Sequence, residues 1–192
     1  MRRMEIMGIA TTEPIFSGES SSLKELVESA AASNADLTLA DLHGSDLSLG
    51  HLSKAKLNSA DLSDARLSGV NFEKARLTVA KLDRADLSNA NLSEASLLGA
   101  RLVASKLVGT NLRRANLCGA NLCGADLSRA DLGRADLSKT ALSGAIFEEA
   151  ILSFADLSGA TLLGAKLSNA ALGAADFSRA DLSGADLSGA DL

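Results

Sequence analysis

The chain has no tryptophan and no tyrosine, a single proline, two cysteines and only 3% aromatic residues. Each scarcity excludes something. Without aromatic bulk, a core of this size must be filled by leucine and alanine, where ordinary globular cores also use large rings. With Pro14 as the only proline, nothing interrupts the backbone after it. Cys118 and Cys123 follow no secretory hydrophobic segment, which points to free thiols in a reducing interior and hence to a cytoplasmic protein. No apolar run approaches the roughly 20 residues of a membrane span. The net charge of −5 has the wrong sign for a direct nucleic-acid binder. What the 192 residues do have is 46% hydrophobic content, enough for one domain with a substantial core.

That content is strictly ordered. Every fifth residue from Leu37 to Leu192 is Leu or Phe, 32 positions in one register, with Phe only at Phe72, Phe147 and Phe177. Two residues before each, from Ala35, 26 of the 32 positions are Ala, and the others are Ser45, Gly50, Val70, Ser105, Thr110 and Thr140. Between the two stands most often Asp (Asp36, Asp41, Asp61, Asp86) or Asn (Asn91, Asn111, Asn116, Asn121). The unit is A-D/N-L-x-x, and internal periodicity is the first property of a sequence to settle.

A period of five suits neither regular element. On an α-helix five residues turn about 500°, so successive leucines fall about 140° apart and ring the whole circumference. In a straight strand an odd period sends alternate leucines to opposite faces. The conflict disappears if the chain turns a corner once per repeat. Ala and Leu, two apart, then point inward from a short extended segment, and the Asp or Asn between them points out. The other two residues make the corner. Ser at many first corner positions (Ser48, Ser63, Ser88) and Gly at many second ones (Gly69, Gly99, Gly119) suit a turn that asks for positive φ at its second residue.

This pattern resembles the pentapeptide-repeat family over residues 33–192. The resemblance implies an all-β solenoid, a right-handed four-sided β-helix of about eight coils with four pentapeptides each. Coils stacked at about 4.8 Å would give a rod roughly 38 Å long. Leu and Phe would fill its axis and Ala would pack beside them, with stability spread along the stack.

Residues 1–32 break the register and form a separate segment. Ser22 followed by Glu25 reads as a capping box opening a helix over about Leu23–Ala32. Leu23, Leu26, Val27 and Ala30 make its apolar stripe, which predicts a helical lid over the first coil. An edge strand is predicted over Glu5–Ala10. At the other end three A-D-L units lead to Leu192 with no covering segment. An open coil there exposes backbone edge and apolar axis together, and predicts a homodimer that stacks Phe177, Leu182, Leu187 and Leu192 against their copies.

Catalytic chemistry finds little support in this pattern, and neither a cofactor nor a metal is expected. His43 and His51 fall on different sides of the first coil and read as surface imidazoles. The C-x4-C spacing of Cys118 and Cys123 is no zinc or redox signature. The glycines recur by repeat logic and form no phosphate-binding loop.

Departures from the repeat are more informative. Ile146, Ile151 and Phe154 are apolar where the pattern wants a polar residue, with Leu163 one coil on, and Leu98, Val103 and Val108 do the same earlier. Such residues are candidate interface positions. Charge is segregated as well. Residues 101–139 carry seven bases against three Asp, and residues 140–192 carry seven acids against two bases, a basic belt beside an acidic tip.

The functional expectation is therefore a non-enzymatic structural or protein-interaction scaffold with an unidentified protein partner. The alternative comes from the resemblance. One branch of the family consists of DNA mimics of the quinolone-resistance type that bind DNA gyrase or topoisomerase IV. Two acidic tips joined in a dimer would supply the negative centre such mimicry needs. Against this type II topoisomerase reading stand the mild net charge, the basic belt and the absence of a loop interrupting the coils.

Overall fold

The computed structural model describes residues 1–192. From residue 36 onward the chain makes one backbone bridge per pentapeptide, always parallel and always to the residue 20 positions on, as in Asp36↔Lys56, Asn116↔Asp136 and Ala171↔Asp191. A return after 20 residues means four pentapeptides per coil. The 160 residues from 33 to 192 thus make about eight coils. The four sides are identified by their core residues: the first by Leu37 through Phe177, the second by Leu42 through Leu182, the third by Leu47 through Leu187, the fourth by Leu52 through Leu192. Leu and Phe of this register are buried from Leu37 to Leu172, with Ala filling the space beside them.

One repeat shows why the five residue types take the order they do. The amide of Asn116 donates to Ala95 in the coil before (2.9 Å), and those of Leu117 and Gly119 donate to Asp136 and Ser138 in the coil after (2.7 and 2.9 Å). The amide of Ala120 closes the corner on the carbonyl of Leu117 (2.9 Å). The amide of Cys118, the first corner residue, has no backbone partner and donates to Oδ1 of Asn116 (3.0 Å). The Asp/Asn slot is therefore an Asx turn built into each repeat. The same bond recurs from Ser48 to Asp46, Ser93 to Asn91, Ser138 to Asp136 and Ser183 to Asp181. Asp and Asn share the slot because Oδ1 is what the turn uses, and no other side chains place that atom there.

Second corner residues all take φ between 55° and 69°, eleven of them Gly and 21 of them not. With negative φ at the first corner residue and the closing bond from Ala to Leu, this is a type II turn. Non-glycine residues accept a steric cost there, smallest for Asn and largest for bulky or β-branched side chains such as Val79 and Phe154.

The polar exceptions in the Ala slot are also satisfied. Buried Ser105 and Thr140 donate to the carbonyls three residues before them, Leu102 and Leu137, and Thr110 donates to Leu87 in the coil before.

The first 32 residues cover the opening of the stack. Helix α1 spans Leu23–Ala32, with Leu26, Val27 and Ala30 buried. Its N-cap Ser22 accepts from the amide of Glu25. The reciprocal arm lands one residue earlier than a capping box has it: Glu25 accepts from the amide of Ser21. At the other end the amides of Asn34 and Ala35 bond Ala31 and Ala30, a Schellman stop with Asn34 at φ 59°. Asn34 is also the first second-corner residue, so the stop of α1 sets the register of the coils. Glu28 of α1 accepts from the amide of His51, and Lys24 reaches the carbonyl of Ser48.

The expected edge strand over Glu5–Ala10 is corrected. The strand is β1, Arg2–Met7, and it pairs antiparallel with β2, Pro14–Ser20. Residues Gly8 and Ile9 instead join the hairpin to the first coil, where Ile9 donates to Leu39 and Asp41 donates to Met7. The covering element is thus a hairpin and a helix together.

Candidate interaction surfaces

Residues 20 apart are neighbours on one side, so each side is a set of columns. Opposite charges pair along them: Arg66 with Asp46, Lys81 with Asp61, Arg84 with Asp64, Arg129 with Glu149. Asn71, Asn91 and Asn111 form an amide ladder on the fourth side, each side-chain nitrogen donating to the Oδ1 of the asparagine before it. The basic belt is less free than its sequence suggests. Arg101 is held by buried Asp83, Arg113 by Asp131 and Arg129 by Glu149, and Arg134 stacks on Phe154, 5.4 Å from its ring centroid. Lys106, Arg114 and Lys139 make no ion pair.

Winding separates residues that the sequence places close. Ile146 lies on the third side and Leu163 on the second. Ile151 lies on the fourth, and Phe154 sits at the corner that ends it. Ile151 is 43% exposed and Phe154 61%, and these two alone share a side. Leu98, Val103 and Val108 likewise fall on the first, second and third sides. In the last coil Phe177 and Leu182 are half-buried, while Leu187 is 36% and Leu192 83% exposed.

His43 lies 3.9 Å from Asp64, whose carboxylate Arg84 grips with two bonds. Cys118 and Cys123 are unpaired and half-buried. No three His, Cys, Asp or Glu side chains converge on a point that could hold a metal. The largest open notch, between Lys139 and Arg179 over Gly159, is lined only by polar residues and glycine. No helix is long and apolar enough to cross a membrane.

The Asx turns also set acidity. In the last coil the amide and hydroxyl of Ser178 hold Asp176 below its ordinary 3.8. The hydroxyls and amides of Ser183 and Ser188 do the same for Asp181 and Asp186. A carboxyl lowered in the fold stabilises it above the ordinary value, and that contribution is lost as pH falls through the folded value. The denaturation midpoint is therefore expected to stay level from neutral pH to about pH 5 and to drop below about pH 4. With Asp176, Asp181 and Asp186 all changed to Asn, which keeps the acceptor and removes the proton, the drop should be shallower. Urea titrations at stepped pH measure it, and an unchanged drop in the triple variant would contradict the assignment.

Four corners per turn, parallel bridges at 20-residue intervals and a leucine axis define a quadrilateral β-solenoid. The profile of pentapeptide repeats matches eight copies in overlapping stretches from residue 35 to residue 192, and the chain belongs to the pentapeptide-repeat family. Among solved structures it is similar to HetL, a pentapeptide repeat protein involved in heterocyst differentiation regulation in the cyanobacterium Nostoc sp. strain PCC 7120. Identity there is 32% over 88% of this chain and 94% of that one, with a TM-score of 0.41. A pentapeptide repeat protein of the Arabidopsis thaliana thylakoid lumen is 34% identical over 52% of this chain and 66% of its own, TM-score 0.42. QnrB1, a plasmid-mediated fluoroquinolone resistance protein, is 24% identical over 70% of this chain and 76% of its own, TM-score 0.35, a likeness of fold alone. No curated protein sequence matches.

Proposed function

We propose that the chain is a non-enzymatic cytoplasmic scaffold that recognises another protein through its outer sides, and that it acts as a homodimer joined through its last coil. One observation carries the scaffold reading. From the second coil to the seventh, in the repeats that keep the Asp or Asn, each backbone donor is tied within the stack or by its own Asx turn, so outward side chains stand in fixed columns at about 4.8 Å spacing. Such columns present a preorganised surface, which lowers the ordering cost of binding. The cytoplasmic placement rests on the two thiols left free.

The dimer rests on the last coil. The amides of Phe177, Leu182 and Leu187 make no backbone hydrogen bond, and the apolar axis stands open beside them. A two-fold stack covers both at once. Asp176, Asp181, Asp186 and Asp191 ring the same coil, one per side, and oppose it. Pointing into water, the like charges are screened and repel weakly, while covering several large apolar side chains contributes more. Light scattering coupled to size exclusion should give a dimer for the native chain and a monomer for Leu187→Lys. A native chain that is monomeric at tens of micromolar, or a dimer indifferent to the substitution, contradicts the assembly.

The acidic ring is the observation that favours the second reading, a DNA mimic that binds a type II topoisomerase. Cations interleaved along the sides weigh against it, since DNA presents uninterrupted negative charge. The chain should leave gyrase supercoiling unchanged even at low ionic strength. A salt-sensitive inhibition or protection would replace the scaffold reading with that one.

A further inference from the structure

Two rules of this fold are broken next to one another on the fourth side, between the sixth coil and the last. Ile151 stands in the Asx slot, where an Asp or Asn would accept the amide of Ser153, so that turn gives up a hydrogen bond the repeat is built to make. Phe154 holds a bulky ring at φ 61°, in a conformation that glycine and asparagine accept with less strain. Both side chains stand in water, 43% and 61% exposed. Directly after them in the columns come Ala171 and Ala174, with Gly173 between, none of which reaches beyond a Cβ. A side chain added at Gly173 would meet nothing within 4 Å. Ile151 and Phe154 thus overhang a shallow, apolar ledge.

The opposite end of the ledge is cationic. Arg134 lies on the ring of Phe154, and Arg114 precedes it in the same corner column, neither held by a carboxylate. Arg113 beside them is occupied by Asp131. Arg134 and Arg114 lie two and three coils before Ala174 in that column, about 10 and 14 Å along the stack. A bulky exposed ring at positive φ, beside a turn that has lost its Asx acceptor, marks a position open to a role outside the fold, and an exposed apolar patch bordered by free charge is a docking surface in form.

We propose that this stretch of the fourth side binds a peptide segment of a partner protein carrying a bulky aliphatic or aromatic anchor preceded by carboxylates. The anchor sits on the ledge of Ala171, Gly173 and Ala174 against Phe154 and Ile151, and the carboxylates face Arg114 and Arg134. This rests on the scaffold reading and supplies the chemistry of its partner. Ile146 and Leu163, on other sides, take no part.

The test is a titration of the isotope-labelled full chain, followed by amide chemical shifts, with the synthetic peptide Glu-Asp-Glu-Leu-Phe-Ser. Controls are its charge-reversed form, Lys-Lys-Lys-Leu-Phe-Ser, and an anchorless form, Glu-Asp-Glu-Ser-Ser-Ser. The first peptide should shift residues around Arg114, Arg134, Ile151, Phe154 and Ala174, and the controls should bind at least about tenfold more weakly. The paired variant Ile151→Asn and Phe154→Asn restores both rules of the fold. It should melt at a higher temperature than the native chain and lose binding by about tenfold or more, whereas Leu163→Ser on the opposite side should bind as the native chain does. Loss of binding with lower stability is assigned to misfolding by the melting curve, and the single variant Arg134→Gln then decides. Shifts on another side, equal binding of the anchorless peptide, or no shifts at millimolar peptide would overturn the proposal. Those outcomes leave the scaffold reading standing, which fails only in the gyrase assay.

Discussion

Leu117→Asp should unfold the centre of the rod. Leu117 is fully buried, midway along the stack, with its amide bonded to Asp136 in the next coil and its carbonyl closing its own corner. The substitution removes about 2 kcal/mol of apolar burial and places a carboxyl where no cation or donor is free to meet it. Together these cost about 4 kcal/mol or more, a large part of the roughly 5–15 kcal/mol that holds a domain. In a fold where each coil contacts only its neighbours, the damage also separates the two halves of the stack. The same change at Leu187, already 36% exposed in the last coil, should cost the isolated subunit far less. Urea denaturation followed by far-UV circular dichroism compares the two. Equal losses at the two positions would show that the axis is not continuous through Leu117.

Ala120→Leu carries the second largest expected effect. Ala120 is 1% exposed, and its amide closes a corner on Leu117, 2.9 Å away. The space there is bounded by the leucine axis inside and the next coils above and below, so three added carbons have nowhere to go. Overpacking of this kind costs about 1–3 kcal/mol. Ala120→Ser should be nearly neutral by contrast, because Ser105 in the equivalent slot turns its hydroxyl to the carbonyl of Leu102, 2.8 Å away. Midpoints from thermal melts of the three proteins decide the matter. A leucine variant as stable as the native chain would mean the Ala slot is roomier than close packing allows.

These expectations were largely legible in the residue order. A Leu/Phe register kept from Leu37 to Leu192 leaves the four-cornered coil as the arrangement that gathers every large side chain on one axis. Ser22, Glu25 and the Leu26–Val27–Ala30 stripe located α1 for the same kind of reason, because caps and periodicity are local signals. The hairpin was less legible. Ser17, Gly18 and Ser20 are weak strand formers, and β2 holds its shape through pairing with β1 and packing against α1. Pro14 reads as a break, but it is the first residue of β2, where a missing amide is tolerated.

The purpose of the Asp/Asn slot was legible in its composition. Asn91 and Asp86 alternate there without regard to charge, which already singles out the carbonyl-type oxygen they share over the charge they do not. Which surface residues are neighbours was not legible, for a geometric reason. Ile146 and Ile151 are five residues apart, and five residues is one corner, so they face different ways. The pair that meets, Arg134 and Phe154, is 20 apart, a spacing whose meaning appears once the coil is known to hold four repeats.

That spacing is also what the whole account depends on. With Cys118 and Cys123 changed to Ser, nitroxides can be attached at Asp36→Cys with Asn116→Cys and, in a second protein, at Asp36→Cys with Asp156→Cys. All three positions lie in one column of the first side, joined by an unbroken series of bridges. Pulsed electron resonance should place the labels about 19 Å apart across four coils and about 29 Å apart across six, a constant 4.8 Å for each 20 residues. Separations that fail to grow by that increment would contradict the four-sided solenoid.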